Sequence, residues 1–411
     1  MPNLNPLPCL SSISRRNLLK LSAAGLAPRV EGAEAPKSNL LYVGTYNQAD
    51  GPEGSHGNGK GIHLFRMDPA TGALSPGEVL TQIPNPSSLA LHPDGKHLYS
   101  ANESANSKEE KGSGSVSAMS VDRATGHLTV LNTVSSRGAG PCHLSVHPSG
   151  KFVFVANYHG GTVAVLPVQA NGSLGAATDV KEGQGKLGHL PAASAPPGSF
   201  AISGHDRTHG HMIQADASGK FIVSTDLGLD RIYVWKFDAT AGKLIPAAMP
   251  FYQAPSGDGP RHFAWHPKGK WFYSIQEEAS TLIAFDYDSA TGKLAAKQTI
   301  SSLPKGFAGT NYTSEVAISA DGRFLYAANR LHDSIAVFAI SATGTLSFVA
   351  EEWTRGDYPR SFTIDPSGRF MYVCNQRADA VTCFKINAQT GVLAFTGQYT
   401  PVGTPSIITF L

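Results

Sequence analysis

Cysteine is scarce in this sequence: 411 residues contain only four, and none form a C-x-x-C pair. Cys9 lies near the N-terminus, and the remaining Cys142, Cys374 and Cys383 are an odd number. A disulfide framework is therefore not indicated. Cys374 and Cys383 flank one predicted hairpin, where we expect two buried thiols rather than a cross-strand disulfide.

An excess of one charge and long apolar runs are also missing. The chain has 33 Lys and Arg against 31 Asp and Glu, a net charge of +2, and no basic stripe, which argues against nucleic acid as a partner. No stretch is long and apolar enough to predict a membrane span. No long segment follows a helical period, so the sequence gives little support to a helical fold.

What the sequence does contain is a repeat. Each copy has a short apolar run, a tight turn of the type H-P-x-G-K/R, a second apolar run and then a third run that ends in a further turn. A repeat of about 50 residues built from short β runs is typical of a propeller. We therefore predict an all-β, seven-bladed propeller with four antiparallel strands in each blade. The turn glycines are Gly95, Gly150, Gly219, Gly269, Gly322 and Gly368.

The two ends of the repeat complement each other. The first copy, with runs at Leu40–Tyr46, Gly61–Phe65 and Ala70–Leu74, lacks the initial strand and its turn. The C-terminal segment Gly403–Phe410 resembles that missing strand and then stops. We therefore predict that N- and C-terminal strands share one blade, which would close the ring without exposed sheet edges.

The N-terminus has the pattern of a targeting segment. Ser14–Lys20 contains twin arginines followed by Leu-Leu-Lys, a short apolar run extends to Ala27, and Ala33-Glu34-Ala35 offers a cleavage site. We therefore predict a twin-arginine signal peptide at residues 1–35, recognised by the twin-arginine export machinery. Residues 36–411 would form a single propeller domain, periplasmic or secreted, which we expect to be a monomer.

Ionisable side chains interrupt the repeat at two of its positions. The first strand starts seven or eight residues before the turn glycine, and the second strand ends seven or eight residues after it. These strands are antiparallel neighbours, so both positions meet at one end of the blade. The sequence thus predicts a site at one mouth of the channel, formed by His143, His211, Arg261, His262, Glu277, Glu315, Arg330 and Arg360, with Asn157 and Asp226 as further substrate-binding candidates.

Structural roles compete with functional ones at some of these positions. The asparagine that recurs at the position of Asn157 also suits a loop cap, and Asp226 could accept hydrogen bonds from turn amides. The histidines of the H-P turns fall at the opposite end of the blade, where a structural role is expected: His92, His147 and His266.

No spacing in the sequence selects a metal ion, and no cofactor is predicted. His209-Gly210-His211, in an extended strand, would place two imidazoles on one face, which keeps a metal as a minor alternative.

From Leu40 to the C-terminus, several short stretches resemble the seven-bladed propeller lactonases, which include propeller-type 6-phosphogluconolactonases and carboxy-muconate cyclases. Two departures are Met212 after His209-Gly210-His211 and Gln276 before Glu277; neither removes an ionisable group. The matching stretches are Gly140–His143, Ala156–Tyr158, Asp226–Asp230, Gly259–His262, Ser314–Val316, Asp321–Tyr326, Ala328–Arg330, Asp333–Ile335 and Pro359–Phe362.

The resemblance implies a lactone-hydrolysing site at the channel mouth. In that site Glu315 or His143 would be the general base, and Arg261 and Arg360 would stabilise the oxyanion or bind an acid group. His211 and Glu277 would orient the sugar or water. The expected chemistry is metal-independent opening of a sugar lactone, either 6-phosphorylated or, as export would favour, unphosphorylated.

Two other functions remain open at this point. A lactonising isomerase would use the same carboxylate and arginines to move a proton. A binding propeller without catalytic activity is also compatible, since one fold hosts many functions.

Overall fold

The computed structural model describes residues 39–49 and 56–411. Within these ranges it contains β-strands and turns but no α-helix, so no helix there is long and apolar enough to cross a membrane. The predicted signal segment, residues 1–35, lies outside the described residues.

Seven four-stranded antiparallel sheets form the blades, and the predicted fold is confirmed. Their strands are, in blade 1, β1 (Leu40–Thr45), β2 (Ile62–Met67), β3 (Leu74–Leu80) and β30 (Pro405–Phe410); in blade 2, β4 (Pro86–Leu91), β5 (His97–Asn102), β6 (Ser115–Val121) and β7 (Leu128–Ser135); in blade 3, β8 (Pro141–Val146), β9 (Phe152–Asn157), β10 (Thr162–Pro167) and β11 (Asp179–Glu182); in blade 4, β13 (Gly210–Ala215), β14 (Phe221–Asp226), β15 (Arg231–Asp238) and β16 (Lys243–Gln253); in blade 5, β17 (Pro260–Trp265), β18 (Trp271–Gln276), β19 (Thr281–Asp288) and β20 (Lys293–Ser301); in blade 6, β22 (Thr313–Ile318), β23 (Phe324–Asn329), β24 (Ser334–Ile340) and β25 (Leu346–Trp353); in blade 7, β26 (Pro359–Ile364), β27 (Phe370–Asn375), β28 (Ala380–Ile386) and β29 (Leu393–Pro401).

The C-terminal strand closes the ring, as the sequence predicts. β30 pairs antiparallel with β1, with Leu41 opposite Phe410 and Val43 opposite Ile408. β30 also packs against the inner strands β4 and β26 of the two neighbouring blades. Both chain ends of the propeller are therefore held by backbone hydrogen bonds in the same sheet.

The core lies between the blades. The second strands β9, β23 and β27 are buried along their whole length, which explains their continuous run of apolar and aromatic residues. Tyrosine hydroxyls on second strands donate to a glycine carbonyl in the outer turn of the next blade. These pairs are Tyr42–Gly126, Tyr99–Gly172, Tyr273–Gly344, Tyr326–Gly391 and Tyr372–Gly72, at 2.7–3.1 Å.

The histidines of the H-P turns have the structural role that their position predicts. His92 Nε2 bonds the Gly150 carbonyl oxygen at 2.8 Å, His147 bonds Gly219 at 2.9 Å, and His266 bonds Gly322 at 3.0 Å. Each histidine therefore links its own turn to the turn of the following blade.

The cysteines of the described residues are free thiols, as expected. Cys374 faces Val381, and Cys383 faces Tyr372, so the two are out of register on their hairpin.

An insertion before blade 4 forms one element that the repeat does not predict. β12 (Ser199–Phe200) pairs in parallel with β21 (Gly309–Thr310), which precedes blade 6. The insertion is thereby attached to the same end of the ring as the cavity described below, because both pairing partners precede inner strands.

Candidate active site

A cavity of about 80 Å³ lies where the inner strands begin and the second strands end. Its position confirms that the two repeat positions meet at one end of the ring. The lining residues are Glu103, Cys142, Tyr158, His159, His211, Glu277, Arg330 and Arg360.

Seven of these eight residues come from two positions of the repeat. One position is eight residues before the turn glycine, and it supplies Cys142, His211 and Arg360. The other is eight residues after it, and it supplies the remaining four: Glu103, Tyr158, Glu277 and Arg330. Four blades therefore contribute one side chain each from the end of the second strand, and three contribute one from the first.

Glu277 lies between two buried arginines. Its Oε2 atom is 2.8 Å from Arg261 Nε and 2.7 Å from an Arg330 terminal nitrogen. The Arg261 contact is a charge pair rather than an aligned hydrogen bond, and Arg261 also donates to the Ser314 carbonyl at 2.6 Å. Burial acts to raise the pKa of Glu277, but the charges of Arg330 and Arg261 outweigh it and lower the pKa, so Glu277 is a carboxylate.

Arg261 is not among the lining residues, and the catalytic role expected of it stays a prediction. Its side chain is 3% exposed, and Arg330 contributes a guanidinium to the cavity lining instead. Arg261 lies behind Glu277 and fixes its position.

Arg360 reaches the cavity from β26 of blade 7. Its guanidinium lies over the Tyr46 ring, 5.1 Å from the ring centre, and a terminal nitrogen is 3.9 Å from Glu103 Oε1. Tyr46 in turn donates to Glu103 Oε2 at 2.8 Å. Arg360 lines the cavity, and its role in stabilising the oxyanion or binding an acid group stays a prediction.

Three histidines cluster beside the cavity. The ring centres of His211 and His262 are 5.0 Å apart, and those of His143 and His262 are 5.5 Å apart. His211 lines the cavity, whereas His143, His262 and Glu315 follow one residue further along their inner strands. The predicted histidines therefore do meet, but in two layers.

Burial keeps these imidazoles uncharged. Burial, followed by the charges of Arg261 and His262, holds the pKa of His211 well below its ordinary value of 6.5. Burial does the same for His143. Burial also lowers the pKa of His262, although the Glu315 carboxylate opposes that shift. Neutral imidazoles can accept a proton, as a general base must.

Glu315 orients His262. His262 Nδ1 is 3.1 Å from Glu315 Oε1, which also accepts the Val316 amide at 3.1 Å. A carboxylate can only accept from the ring, so Nδ1 carries the proton. The pair lies next to the cavity residues but is not part of its lining.

Two predicted substrate-binding residues lie away from the cavity. Asn157 donates to the Ser136 carbonyl at 2.9 Å and to Thr162 Oγ1 at 3.0 Å. Asp226 accepts the His209 amide at 3.0 Å and the Leu229 amide at 3.1 Å. The Asn157 amide nitrogen and the Asp226 carboxylate thus stabilise turns, which was the structural alternative for each, and their substrate-binding role stays a prediction.

Sequence reasoning did not select Glu103 and Tyr158, although both line the cavity. The signal was available, since they occupy the same repeat position as Glu277 and Arg330. His159, the eighth lining residue, follows that position by one and has no such signal.

Cys142 is the one cysteine among the lining residues, and its thiol is a potential nucleophile. Burial raises the pKa of its thiol, and Sγ donates to the His211 carbonyl at 3.3 Å. We predict that Cys142→Ala changes kcat for lactone hydrolysis by less than about tenfold, because the reactive form of cysteine is the thiolate. A kinetic comparison of the two proteins checks this, and a loss of several orders of magnitude would indicate a covalent acyl-enzyme instead.

The cavity histidines do not form a metal-binding group. Within residues 39–49 and 56–411, the one group of three potential ligands with donor atoms within 4.8 Å of one another is His92, Asp94 and His97. That group belongs to the turn between β4 and β5, at the far end of blade 2.

The chain is similar in sequence and fold to known proteins. The family described as "Lactonase, 7-bladed beta-propeller" matches residues 40–410. The chain is 34% identical over 300 residues to a 6-phosphogluconolactonase of Bacillus subtilis, an alignment that covers 73% of this chain and 77% of the relative.

Solved structures of similar sequence have the same fold over nearly their full length. The periplasmic gluconolactonase of Pseudomonas aeruginosa is 31% identical with a TM-score of 0.79, covering 90% of this chain and 98% of that one. A putative 6-phosphogluconolactonase of Bacteroides fragilis is 31% identical with a TM-score of 0.80, covering 92% and 99%. The chain therefore belongs to the seven-bladed β-propeller lactonase family and is a lactone-hydrolysing enzyme.

Proposed function

We propose that this lactonase opens an unphosphorylated aldonolactone, such as glucono-δ-lactone, to the open-chain acid. The observation that carries the proposal is the charge balance of the cavity. Its lining contains two carboxylates, Glu103 and Glu277, and two guanidiniums, Arg330 and Arg360. These charges cancel, which suits an uncharged sugar ring better than a phosphate dianion.

One of the two lining cations also shares its charge with a carboxylate. Arg330 is in contact with Glu277 at 2.7 Å, and Arg261 adds its charge to the same carboxylate. Among the described lining residues there is no lysine that could bind a phosphate in their place. Sugar hydroxyls, in contrast, can use both the carboxylates as acceptors and the arginines as donors.

We place the reaction outside the cytoplasm. The support is the twin-arginine pattern at Ser14–Lys20, together with the name of the P. aeruginosa relative, a periplasmic gluconolactonase. A lactone present in the periplasm is also more simply an unphosphorylated sugar derivative than a phosphorylated one.

In the proposed mechanism, His211 takes a proton from a water molecule as the water oxygen forms a bond to the lactone carbonyl carbon. Arg360 and Arg330 stabilise the negative charge that develops on the carbonyl oxygen. The bond from that carbon to the ring oxygen then breaks, and the ring oxygen takes the proton back from His211. The products are the hydroxyl and the carboxylic acid, which ionises.

His211 replaces Glu315 and His143 as the proposed base because it lines the cavity and they do not. The chemistry needs only an uncharged imidazole and cationic donors, so we propose that it is metal-independent. Glu277, held by Arg261 and Arg330, would orient the sugar hydroxyls.

Hydrolysis of glucono-δ-lactone and of its 6-phosphate by the protein starting at Pro36 tests the proposal. We expect kcat/KM at least tenfold higher for the unphosphorylated lactone, and no change when a chelator is present. A preference for the 6-phosphate would contradict the substrate assignment, and loss of activity with chelator would contradict the metal-free mechanism. Turnover of neither lactone would favour other lactones or the isomerase reaction.

A further inference from the structure

We infer that the turn between β4 and β5 binds a divalent transition-metal ion, with Zn²⁺ as the test ion, through His92, Asp94 and His97. The turn lies at the closed end of the β4–β5 hairpin, whereas Glu103 and the cavity lie at its open end. The six residues of β5 separate the two by roughly 20 Å at 3.3 Å per residue. This site is therefore separate from the lactonase site.

The three side chains converge on a small, accessible space. Asp94 Oδ1 is 2.9 Å from His92 Nδ1, and Asp94 Oδ2 is 3.0 Å from His97 Nδ1. The side chains of His92, Asp94 and His97 are 14%, 34% and 17% exposed, so an ion can reach them from solvent. Separations of about 3 Å are those of neighbouring ligands around an ion that is 2.0–2.2 Å from each donor atom.

The contacts of His92 and Asp94 suit a cation shared between them. His92 Nε2 is 2.8 Å from the Gly150 carbonyl oxygen, which can only accept, so Nε2 carries the proton. Nδ1 of the neutral ring is then a lone pair, and it accepts the Asp94 amide at 3.2 Å. The Asp94 carboxylate oxygen, 2.9 Å away, is also a lone-pair donor. A metal ion placed between these two atoms would be bound by both lone pairs.

The other H-P turns of the propeller have no carboxylate at the position of Asp94. Ser149 takes the place of Asp94 in blade 3, where its hydroxyl donates to His147 Nδ1 at 2.8 Å. In blade 5 the residue is Lys268, whose amide donates to His266 Nδ1 at 3.1 Å. Only in blade 2 does the turn place an anionic acceptor against the ring nitrogen.

His97 is a second departure from the repeat in the same turn. The equivalent residues are aromatic in the other blades that have this turn, for example Phe152 and Trp271. Those rings pack against a glycine of the next blade, as His97 packs against Gly172. Histidine fills the same space and adds a ring nitrogen that faces Asp94.

The donor set selects the class of ion. Two imidazole nitrogens and one carboxylate oxygen suit Zn²⁺, Ni²⁺ or Cu²⁺, whereas Mg²⁺ and Ca²⁺ prefer oxygen ligands only. The bond from His92 Nε2 to the Gly150 carbonyl fixes the ring orientation, as second-shell partners of metal-binding histidines do. Because Gly150 belongs to blade 3, a bound ion would stabilise the junction of blades 2 and 3.

Zinc titration of the untagged, chelator-treated protein tests the inference. We expect one saturable site by calorimetry, a rise of a few degrees in Tm with Zn²⁺, and a visible absorption band with Co²⁺. Asp94→Ser and His97→Phe copy the residues of blade 3, so both variants should fold. Each should weaken Zn²⁺ binding at least tenfold and abolish the Tm shift, with lactone turnover unchanged.

His127→Gln is the matched control, because His127 lies in an exposed two-residue pair with Glu78 at 2.8 Å. This variant should bind Zn²⁺ like the unmodified protein. The inference would be overturned by the absence of saturable binding, or by equal binding in Asp94→Ser and His97→Phe.

Discussion

Replacing His211 by Asn is expected to lower kcat for lactone hydrolysis by about two to four orders of magnitude, the usual contribution of a general base. Asn has a similar shape and can still form hydrogen bonds, but it cannot accept a proton from water at neutral pH. KM should change much less than kcat, because Arg330 and Arg360, the charged groups proposed to contact the substrate, remain in place. Steady-state kinetics on glucono-δ-lactone, corrected for spontaneous hydrolysis, measure both constants.

Three matched variants separate His211 from the other candidates. His159→Asn alters a second histidine of the same lining and should cost less than about tenfold in kcat. His143→Asn and Glu315→Gln test the roles that the resemblance implies for those residues. A large loss of kcat in either of these two variants, with kcat of His211→Asn nearly unchanged, would identify His143 or Glu315 as the base instead.

The pH profile provides an independent measure of the same group. Because the folded-state pKa of His211 is held well below 6.5, the imidazole remains unprotonated, and therefore active, below the pH at which an ordinary histidine becomes charged. We expect the acid limb of kcat/KM to lie below pH 6.5. An acid limb near or above pH 6.5 would mean that the base is a group without that shift.

The fold could be predicted from the sequence because each blade repeats the same local chemistry. The turn glycines of the six complete repeats all have positive φ, for example 65° at Gly95 and 72° at Gly150, which a side chain would disfavour. Gly403–Phe410 could be recognised as the missing strand because it resembles the first strand of a neighbouring copy. The β12–β21 pair could not be predicted, since two residues on each side have no period and pair across more than a hundred positions of the chain.

The sequence predicted which side chains meet at the channel mouth, but not which of them line the cavity. Repeat positions determine which side chains reach the channel mouth, and they correctly brought His211, Glu277, Arg330 and Arg360 together. They cannot show which of two consecutive residues lines the cavity, because the inner strands begin with an irregular register. In β8, for example, Pro141 lies opposite Asn157 while His143 lies opposite Ala156, so simple alternation fails there.

The cavity lining includes Arg330 but not Arg261, and this difference has another cause. Both arginines contact the same oxygen atom of Glu277, so their roles depend on which one lies on the solvent side of that carboxylate. That order is set by the packing of blades 5 and 6 against each other. Sequence spacing contains no information about it.

Glu277→Gln should lower both stability and activity, since it leaves two buried arginines without their shared carboxylate. Removing one partner of a buried ion pair typically costs about 3–5 kcal/mol, because the remaining charge stays desolvated. Gln has almost the same volume, so the loss would reflect charge and not packing. We also expect at least a tenfold loss in kcat/KM, because Arg330 and Arg261 would no longer be held in place.

Denaturant unfolding of both proteins across a pH series tests this origin of the effect. The folded-state pKa of Glu277 is lowered from 4.5, so its stabilisation is fully present above that value and is lost as pH falls through the folded-state pKa. The stability difference between the two proteins should therefore be constant near neutral pH and shrink in acid. Glu110→Gln removes an exposed partner of Arg137, 2.7 Å away, and should change stability by less than about 1 kcal/mol. If Glu277→Gln were equally mild, the other contacts of the two arginines, such as those to the Ser314 and Thr313 carbonyls, would suffice to stabilise them, and Glu277 would not be what holds Arg330 at the cavity.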